Sequence, residues 1–398
     1  MSQYHPPTLQ SLRQEPNALA LHYSAFDVAN RLLLTGHSHQ AWPDVGFEGQ
    51  KQAWMDAAAH ADGKWDLAAD KAERVGEGYR ALMGTCDGDF TLDSNTHALV
   101  VRFLSALPLR DRPRIVTTDG EFHSIRRQID RLAEEGLEVV KVAAAEPETL
   151  AQRVVEAVND RTSAVMVSSV LFGSGRIVPG LPDVADACSR NGAEMLIDAY
   201  HSLGAVPFDL GGMDTAFVVG GGYKYLQLGE GNCVLRVPAG CALRPVVTGW
   251  FAEFAELADV RAPGEVPYGR GAARFAGSTY DPTSHYRAAA VMDFFVSQGL
   301  TPAVLRQVSQ HQVGLLIESF EGLDLDPTVV RLLDECPLSS RAGFVALHAP
   351  DAAGLHERLL ERGVRTDYRG SVLRFGPAPY LSDAQLTDAM GHLKAVVG

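Results

Sequence analysis

At 398 residues the chain is long enough for two domains that each bury a core, and its 46% hydrophobic and 21% charged residues place it among ordinary globular proteins rather than disordered or membrane-embedded ones. A net charge of −14 argues against a nucleic-acid partner, because holding phosphates needs a clustered excess of Lys and Arg. The five cysteines (Cys86, Cys188, Cys233, Cys241, Cys336) are scattered, odd in number and without a CxxC pair, so the sequence suggests neither a disulfide framework nor a structural zinc site and fits a reducing compartment.

The opening stretch, MSQYHPPTLQSLRQEPN, is polar and lacks the basic-then-apolar order of a signal peptide. No apolar run approaches the roughly eighteen residues of a membrane span, and the expected location is the cytoplasm. RLLLTG reads as a short strand that runs into the turn Gly36-His37-Ser38. His37 and His39 form an HxH pair, but no third ligand is apparent, so the turn reads as polar and no metal is expected. From Gly49 to Met83 the apolar residues recur at helical spacing, with a break near Asp62-Gly63 that divides two helices.

FTLDSNTHALVVRFLSALPL is a strand, a polar turn and a helix that begins at or near Ser94-Asn95-Thr96. Such a helix start is either a plain N-cap or, with its free N–H groups, a phosphate site. RIVTTDGEFHSIRRQIDRL repeats the pattern with Glu121-Phe122-His123-Ser124 at the junction, where Phe122 is either core or stacked on a bound ring. SAVMVSSVLFGSGRIVPG is a nearly continuous apolar strand, and LPDVADACSRNG is a helix that closes on glycine.

The stretch from Glu194 to Gly231 holds one acid and one lysine, each where a strand ends. EMLIDAY stops at Asp198, and TAFVVGGGYKYL runs through Gly220-Gly221-Gly222 into Lys224, on backbone that lets a bulky group come close. In isolation the pair reads first as a surface lysine and a helix-capping aspartate, and it is the flanking residues that reverse this. The chemistry that wants both is that of pyridoxal phosphate (PLP), in which a lysine amine holds the cofactor as a Schiff base and a carboxylate keeps the pyridinium nitrogen protonated.

NCVLRVP adds a plausible antiparallel strand, and the alternation of strands with helices predicts an α/β fold with a mostly parallel sheet covered on both faces. DVRAPGEVPYGRGAARFAG, rich in Gly and Pro, predicts a long irregular connection. Helices over TSHYRAAAVMDFFVSQG and roughly Pro302 to Phe320 follow, and then GFVALHAP, a helix from Asp351 to Arg362 and VRTDYRGSVLRFGPAPY form a smaller α/β unit. The expected division is a large domain at 47–287 and a small one made from 1–46 and 288–398.

The motifs DAYHSLGAVPFD and GGYKYLQLGEG resemble the two central motifs of the class V aminotransferase superfamily, and within it kynureninase most closely. Two further places support the likeness in the same order along the chain. They are Gly249-Trp250-Phe251 with Arg274-Phe275 and Gly277-Ser278-Thr279, and the closing RGVRTDYRGSVLRFGPAPY. The resemblance implies a fold type I PLP-dependent enzyme with a large domain on a seven-stranded-type sheet. It further implies a hydrolase of tryptophan catabolism that cleaves the Cβ–Cγ bond of kynurenine or a related 4-oxo amino acid to alanine and an aromatic acid.

By the same resemblance Lys224 carries the cofactor and Asp198 pairs its ring nitrogen, with His201 supporting that carboxylate or the ring. Asn95 and Thr96 take the phosphate, Phe122 stacks on the ring, and Tyr223 shares acid–base work with Lys224. Trp250 and Thr279 reach the phosphate in the neighbouring subunit's site, which implies a homodimer. Arg374 holds the substrate carboxylate, and His37 stands near the substrate where the family has asparagine. Ile125 for the family's aspartate, and His97 after Thr96, are further departures that leave the substrate's acyl group open.

One fold and one cofactor support several reactions, so an aminotransferase or a cysteine desulfurase or lyase stands as the alternative. Cys336, in LLDECPLSSR, lacks the setting of a desulfurase nucleophile. A non-catalytic PLP-binding protein is a third reading, which would be coloured yet give no spectral change with any amino acid.

Overall fold

The computed structural model describes residues 7–84, 87–260 and 262–398; Cys86, the start of the polar N-terminal stretch and one residue of the irregular connection lie outside the described residues. The N-terminal arm supplies α1 (Leu9–Arg13) and β1 (Leu32–Leu33), and then α2 (Val45–His60) and α3 (Lys64–Leu82) follow on either side of a short 3-10 turn over Ala61–Gly63.

Seven strands make the main sheet: β2 (Asp89–Asp93), β3 (Arg114–Thr118), β4 (Glu138–Val142), β5 (Thr162–Ser168), β6 (Glu194–Asp198), β7 (Phe217–Gly220) and β8 (Cys233–Val237). Their order is β2-β8-β7-β6-β5-β3-β4, and β8 alone runs against the rest. Helices α4 (Thr96–Ala106), α5 (His123–Glu134), α6 (Pro147–Ala157) and α7 (Leu181–Asn191) alternate with the strands.

Side chains on a strand alternate between faces, and here both faces are dry, which is why these strands read as continuous apolar runs. Ile115, Ala164, Met166, Leu196 and Phe217 pack with Leu99 and Phe103 of α4 and with Ile125 and Ile129 of α5. Their neighbours Val116, Val165, Val167, Ile197 and Val218 face the other way, among Leu150 and Val154 of α6 and Val184 of α7. Each such side chain stabilises the fold by about 1.5–3 kcal/mol on burial. Ile125, the departure noted above, is therefore a core residue.

After the irregular connection α8 (Thr283–Ser297) packs along α2 and α3, so a division at residue 287 falls inside this helix. Next come α9 (Pro302–Glu321), with Thr301 capping it and proline in its first turn, and β9 (Arg331–Leu332), β10 (Val345–His348), α10 (Ala352–Glu361), β11 (Val364–Arg365), β12 (Asp367–Arg369) and β13 (Val372–Phe375). Strands β12-β13-β10-β9 form a four-stranded antiparallel sheet, closed by α11 (Asp383–Val397) behind a Ser382–Gln385 capping box. The arm joins this unit, because β1 pairs in parallel with β11 and the Gly36 N–H bonds the Gly376 carbonyl at 2.7 Å. Among the described residues no single helix is long and apolar enough to cross a membrane.

Candidate active site

The parallel strands β3, β5, β6 and β7 end at one edge of the sheet, where ligands of open α/β sheets bind. Asp198 is the last residue of β6 and is buried; its carboxylate accepts the Tyr200 N–H at 2.8 Å. Burial raises its pKa, while the Tyr200 N–H and Lys224 pull it back.

Lys224 follows β7 through a run of glycines whose absent side chains are required by close approach. A Cβ on Gly221 would lie 2.0 Å from the Tyr200 Oη and one on Gly222 would lie 2.3 Å from the Asn232 Oδ1. The Lys224 Nζ sits 4.7 Å from the centre of the Tyr200 ring, 5.3 Å from Phe122 and 5.9 Å from Tyr223. Burial, helped by Arg374, pulls its pKa down to about 7 against the pull of Asp198. At neutral pH much of this amine is therefore unprotonated and nucleophilic.

His201, expected to support Asp198 or a ring, instead has its Nε2 2.8 Å from the Lys224 Nζ. Asp198 is served by the Tyr200 backbone, one residue nearer, so the histidine is free to turn to the lysine. Burial and the cations Lys224 and Arg374 hold the imidazole neutral, and its Nδ1 is buried with no hydrogen-bond partner among the described residues.

Asp198, Tyr200, His201, Tyr223 and Lys224 line a cavity of about 280 Å³ together with Asn95, Thr96, Phe122, Ser168 and Phe172. Asn95 caps α4, its Oδ1 accepting the Ala98 N–H at 2.9 Å. The Thr96 hydroxyl is buried beside the Cys233 thiol and has no other partner among the described residues. A free hydroxyl in the first turn of an eleven-residue helix suits an anionic oxygen. The cavity opens beside a wider cleft of about 1200 Å³, with which it shares Ser94, Glu230 and Gly231, and Thr279 lies on the cleft's wall.

Trp250 and Thr279 touch each other, Nε1 to Oγ1 at 3.2 Å, and neither lines the Lys224 cavity of its own chain. Phe122 does line it, and the Phe172 ring meets its face edge-on at 5.4 Å. Arg374 is buried and does not itself line the cavity, which it adjoins through the lining residue Phe172. Its Nε and Nη2 grip both oxygens of Asp367 at 2.8 and 2.6 Å, and its Nη1 donates to the Phe172 carbonyl at 2.7 Å. A guanidinium carries five N–H donors, so two remain for a ligand.

His37, expected against the substrate, is fully buried and does not line the cavity. The Gly36–Gly376 backbone pairing seats its turn beneath the end of β13, where its Nε2 bonds the Asp367 Oδ1 at 2.8 Å. Burial lowers its pKa to about 4, so the ring is neutral and donates to Asp367. It is His39 that reaches the mouth, stacked on Tyr223 at 5.1 Å. No group of three or more His, Cys, Asp or Glu side chains suited to a metal occurs among the described residues.

Several members of the site carried no sequence signal of their own. Asp367 stands within the closing motif as one of two charges flanking a tyrosine, and nothing local says that it grips Arg374. Phe344 opens the GFVALH strand like any core aromatic, yet it packs against His37 at 4.7 Å, His201 at 5.9 Å and Arg374 at 5.6 Å. Tyr200 sits within the Asp198 motif, two residues past the strand end, a spacing that returns its ring beneath the lysine.

Residues 92–244 match the family model of the class-V aminotransferases, and residues 305–393 match that of the kynureninase C-terminal domain. The kynureninase of Pseudomonas fluorescens is 29% identical over 352 residues, 84% of this chain and 81% of that protein. The kynureninase of Deinococcus radiodurans is 25% identical over 330 residues, 82% and 78% of the two chains. Among solved structures, the cystine C–S lyase C-DES superposes with a TM-score of 0.81 at 17% identity, over 94% of this chain and 99% of that one. A cysteine desulfurase from Thermococcus onnurineus gives a TM-score of 0.79 at 16% identity over 100% and 99%. At those identities the structures establish the fold. With the two family-model matches and the relatives spanning most of its length, the chain is a kynureninase-like, PLP-dependent enzyme of the type I fold, similar to the class-V aminotransferases.

Proposed function

We propose that this enzyme hydrolyses the Cβ–Cγ bond of kynurenine or a related 4-oxo amino acid, releasing alanine and an aromatic acid. The observation that carries the reading is the buried Lys224 amine, held by His201 over the Tyr200 ring with Tyr223 beside it in one cavity. The relatives named kynureninase support the same reading.

PLP fits the donor set. Lys224 supplies an amine of lowered pKa for its aldehyde, Asp198 a buried carboxylate for its ring nitrogen, and Asn95 and Thr96 a helix N-terminus for its phosphate, with Phe122 against one face of the ring. Bound there, the cofactor supplies an electron sink next to the substrate's Cα. Arg374 takes the α-carboxylate with its two remaining N–H donors and fixes the direction of the Cα–H bond. The Lys224 amine, with its lowered pKa, would be the general base that removes that proton. Water then adds to the γ-carbonyl and leaves a proton on the site's bases, the Cβ–Cγ bond breaks, and Cγ leaves in the aromatic acid. To complete alanine, Lys224 returns a proton to Cα and Cβ takes one from Tyr223 or Lys224. Burial pushes the Tyr223 phenol up to about 12, so it holds that proton at neutral pH and can deliver it.

We further read the active unit as a cytoplasmic homodimer in which Trp250 and Thr279 serve the partner's site. Neither residue lines its own chain's cavity, and Trp250 is 42% exposed with Phe254 beside it at 59%. A desulfurase would need a thiol at Lys224. Cys336 does not line that cavity, and Cys233, which does, is 4% exposed at the start of β8 with its pKa raised by burial, so neither is a mobile thiolate.

The test is a product assay with kynurenine and 3-hydroxykynurenine. Alanine and the matching aromatic acid are expected in equal amounts. Pyruvate, sulfide or a keto acid from the best substrate, with no alanine from any 4-oxo amino acid, rules the reaction out.

A further inference from the structure

Glu121, between β3 and α5, is 1% exposed and does not line the Lys224 cavity. Its Oε1 accepts the Thr118 hydroxyl at 2.6 Å and the Ser168 N–H at 3.1 Å, and its Oε2 accepts the Ser168 hydroxyl at 2.6 Å. Ser168 does line the cavity, and it ends β5 directly opposite Asp198 in the parallel register. A buried acid thus stands one hydrogen bond behind the surface that meets the cofactor ring, next to the Asp198 strand end.

We infer that Glu121 is a positioning residue that sets, without touching the ligand, whether the Ser168 hydroxyl accepts a hydrogen bond from the cavity or donates one into it. An ionised carboxylate has no hydrogen to give, so the Ser168 O–H points back at it and only the oxygen lone pairs face the ligand. A protonated Glu121 can donate to Ser168 instead, and the serine proton then turns toward the cavity. Burial pushes the carboxyl up to about 7 against its three donors, and the Asp198 charge adds to the rise, so both arrangements lie within reach of neutral pH. The charged group facing Glu121 is Asp198 on β6. β3 and β5 present the neutral donors Thr118 and Ser168, and the His123 ring at the start of α5 turns to Arg126 at 3.0 Å.

The inference rests on the reading that this cavity holds PLP, and its test separates the two. Borohydride trapping of PLP on Lys224 in the wild-type chain checks the reading; an unlabelled Lys224 overturns both. PLP affinity and the visible absorbance of the loaded enzyme are then measured at pH 6.5 and 8.5 for the wild type, Glu121→Gln, Ser168→Ala and the double variant. A glutamine amide donates to Ser168 at every pH, so between the two values Glu121→Gln is expected to show only the change that titration of Lys224 gives every variant. At pH 8.5 it should differ from wild type by about tenfold in affinity, the weight of one hydrogen bond. The double variant should behave as Ser168→Ala alone. Glu121→Gln titrating as the wild type does, or shifting affinity and spectrum equally in the Ser168→Ala background, overturns the inference. Should Glu121→Gln fold poorly, Ser168→Ala carries the test by itself: its difference between the two pH values is expected to be about tenfold smaller or larger in affinity than the wild type's, only the Lys224 titration remaining, and a difference equal to the wild type's overturns the inference.

Discussion

At the Lys224 end of the site, buried polar atoms on residues that line the cavity lack partners among the described residues: the His201 Nδ1 has none, and the Thr96 hydroxyl has only a thiol. At the Arg374 end a hydrogen-bonded run joins His37, Asp367, Arg374 and the Phe172 carbonyl, and the His37 Nδ1, on a residue that does not line the cavity, is likewise unpartnered among the described residues. An unpaired buried donor or acceptor costs about 1–3 kcal/mol, so the end that lines the cavity is finished by its ligand, whereas the Arg374 charge is paired with Asp367 beforehand. Substitutions at the two ends should therefore fail differently, in chemistry at one and in folding at the other.

Lys224→Ala should have the largest effect, lowering turnover by at least roughly a thousandfold and abolishing borohydride labelling while the thermal melt stays at or above wild type. A variant that melts much earlier would mean that the lysine also organises the fold. Asp367→Asn should do the reverse. It leaves the Arg374 charge buried without its counter-ion, which costs about 3–5 kcal/mol in denaturant unfolding. A wild-type unfolding midpoint would contradict the pre-organised end.

Arg374→Lys replaces a fork with a point charge, so KM for the amino acid should rise by about tenfold or more with a smaller change in kcat. If the loss fell on kcat alone, the carboxylate would sit elsewhere. The lowered pKa of Lys224 predicts that cofactor attachment to the apoenzyme quickens about tenfold per pH unit up to pH 7 and then levels off, because only the free amine attacks. A rate still climbing from pH 8 to 9 would indicate an ordinary lysine. Least in size, mixing Lys224→Ala chains with Trp250→Ala chains should restore up to about a quarter of wild-type activity through heterodimers with one intact site. Mixtures that never exceed the mean of their parents would rule out shared sites.

The fold was legible because its signals are local. Apolar strands, caps and glycines sit side by side in sequence, and alternation alone predicts a covered parallel sheet. Asp198 and Lys224 could be found because each closes a strand at the same edge. What escaped depends on contacts between distant segments. Nothing near His37 says that its turn tucks under β13, since that follows from the Gly36–Gly376 pairing across most of the chain. By sequence His201 reads as support for Asp198 or the ring, and only the fold shows that the lysine loop brings the Lys224 amine to its Nε2. Glu121 read as one polar residue at a junction, because the serine that gives it meaning lies on the next strand over.

The lone reversed strand has a consequence for how the molecule is made. β2 leaves the ribosome early, but its neighbour in the finished sheet is β8, synthesised only after the lysine loop. Until then the open edges of β2 and β7 are surfaces on which nascent chains can pair with one another. Translation pauses or truncations ahead of residue 233 should thus favour aggregation, and chaperone demand should drop once Val237 has emerged.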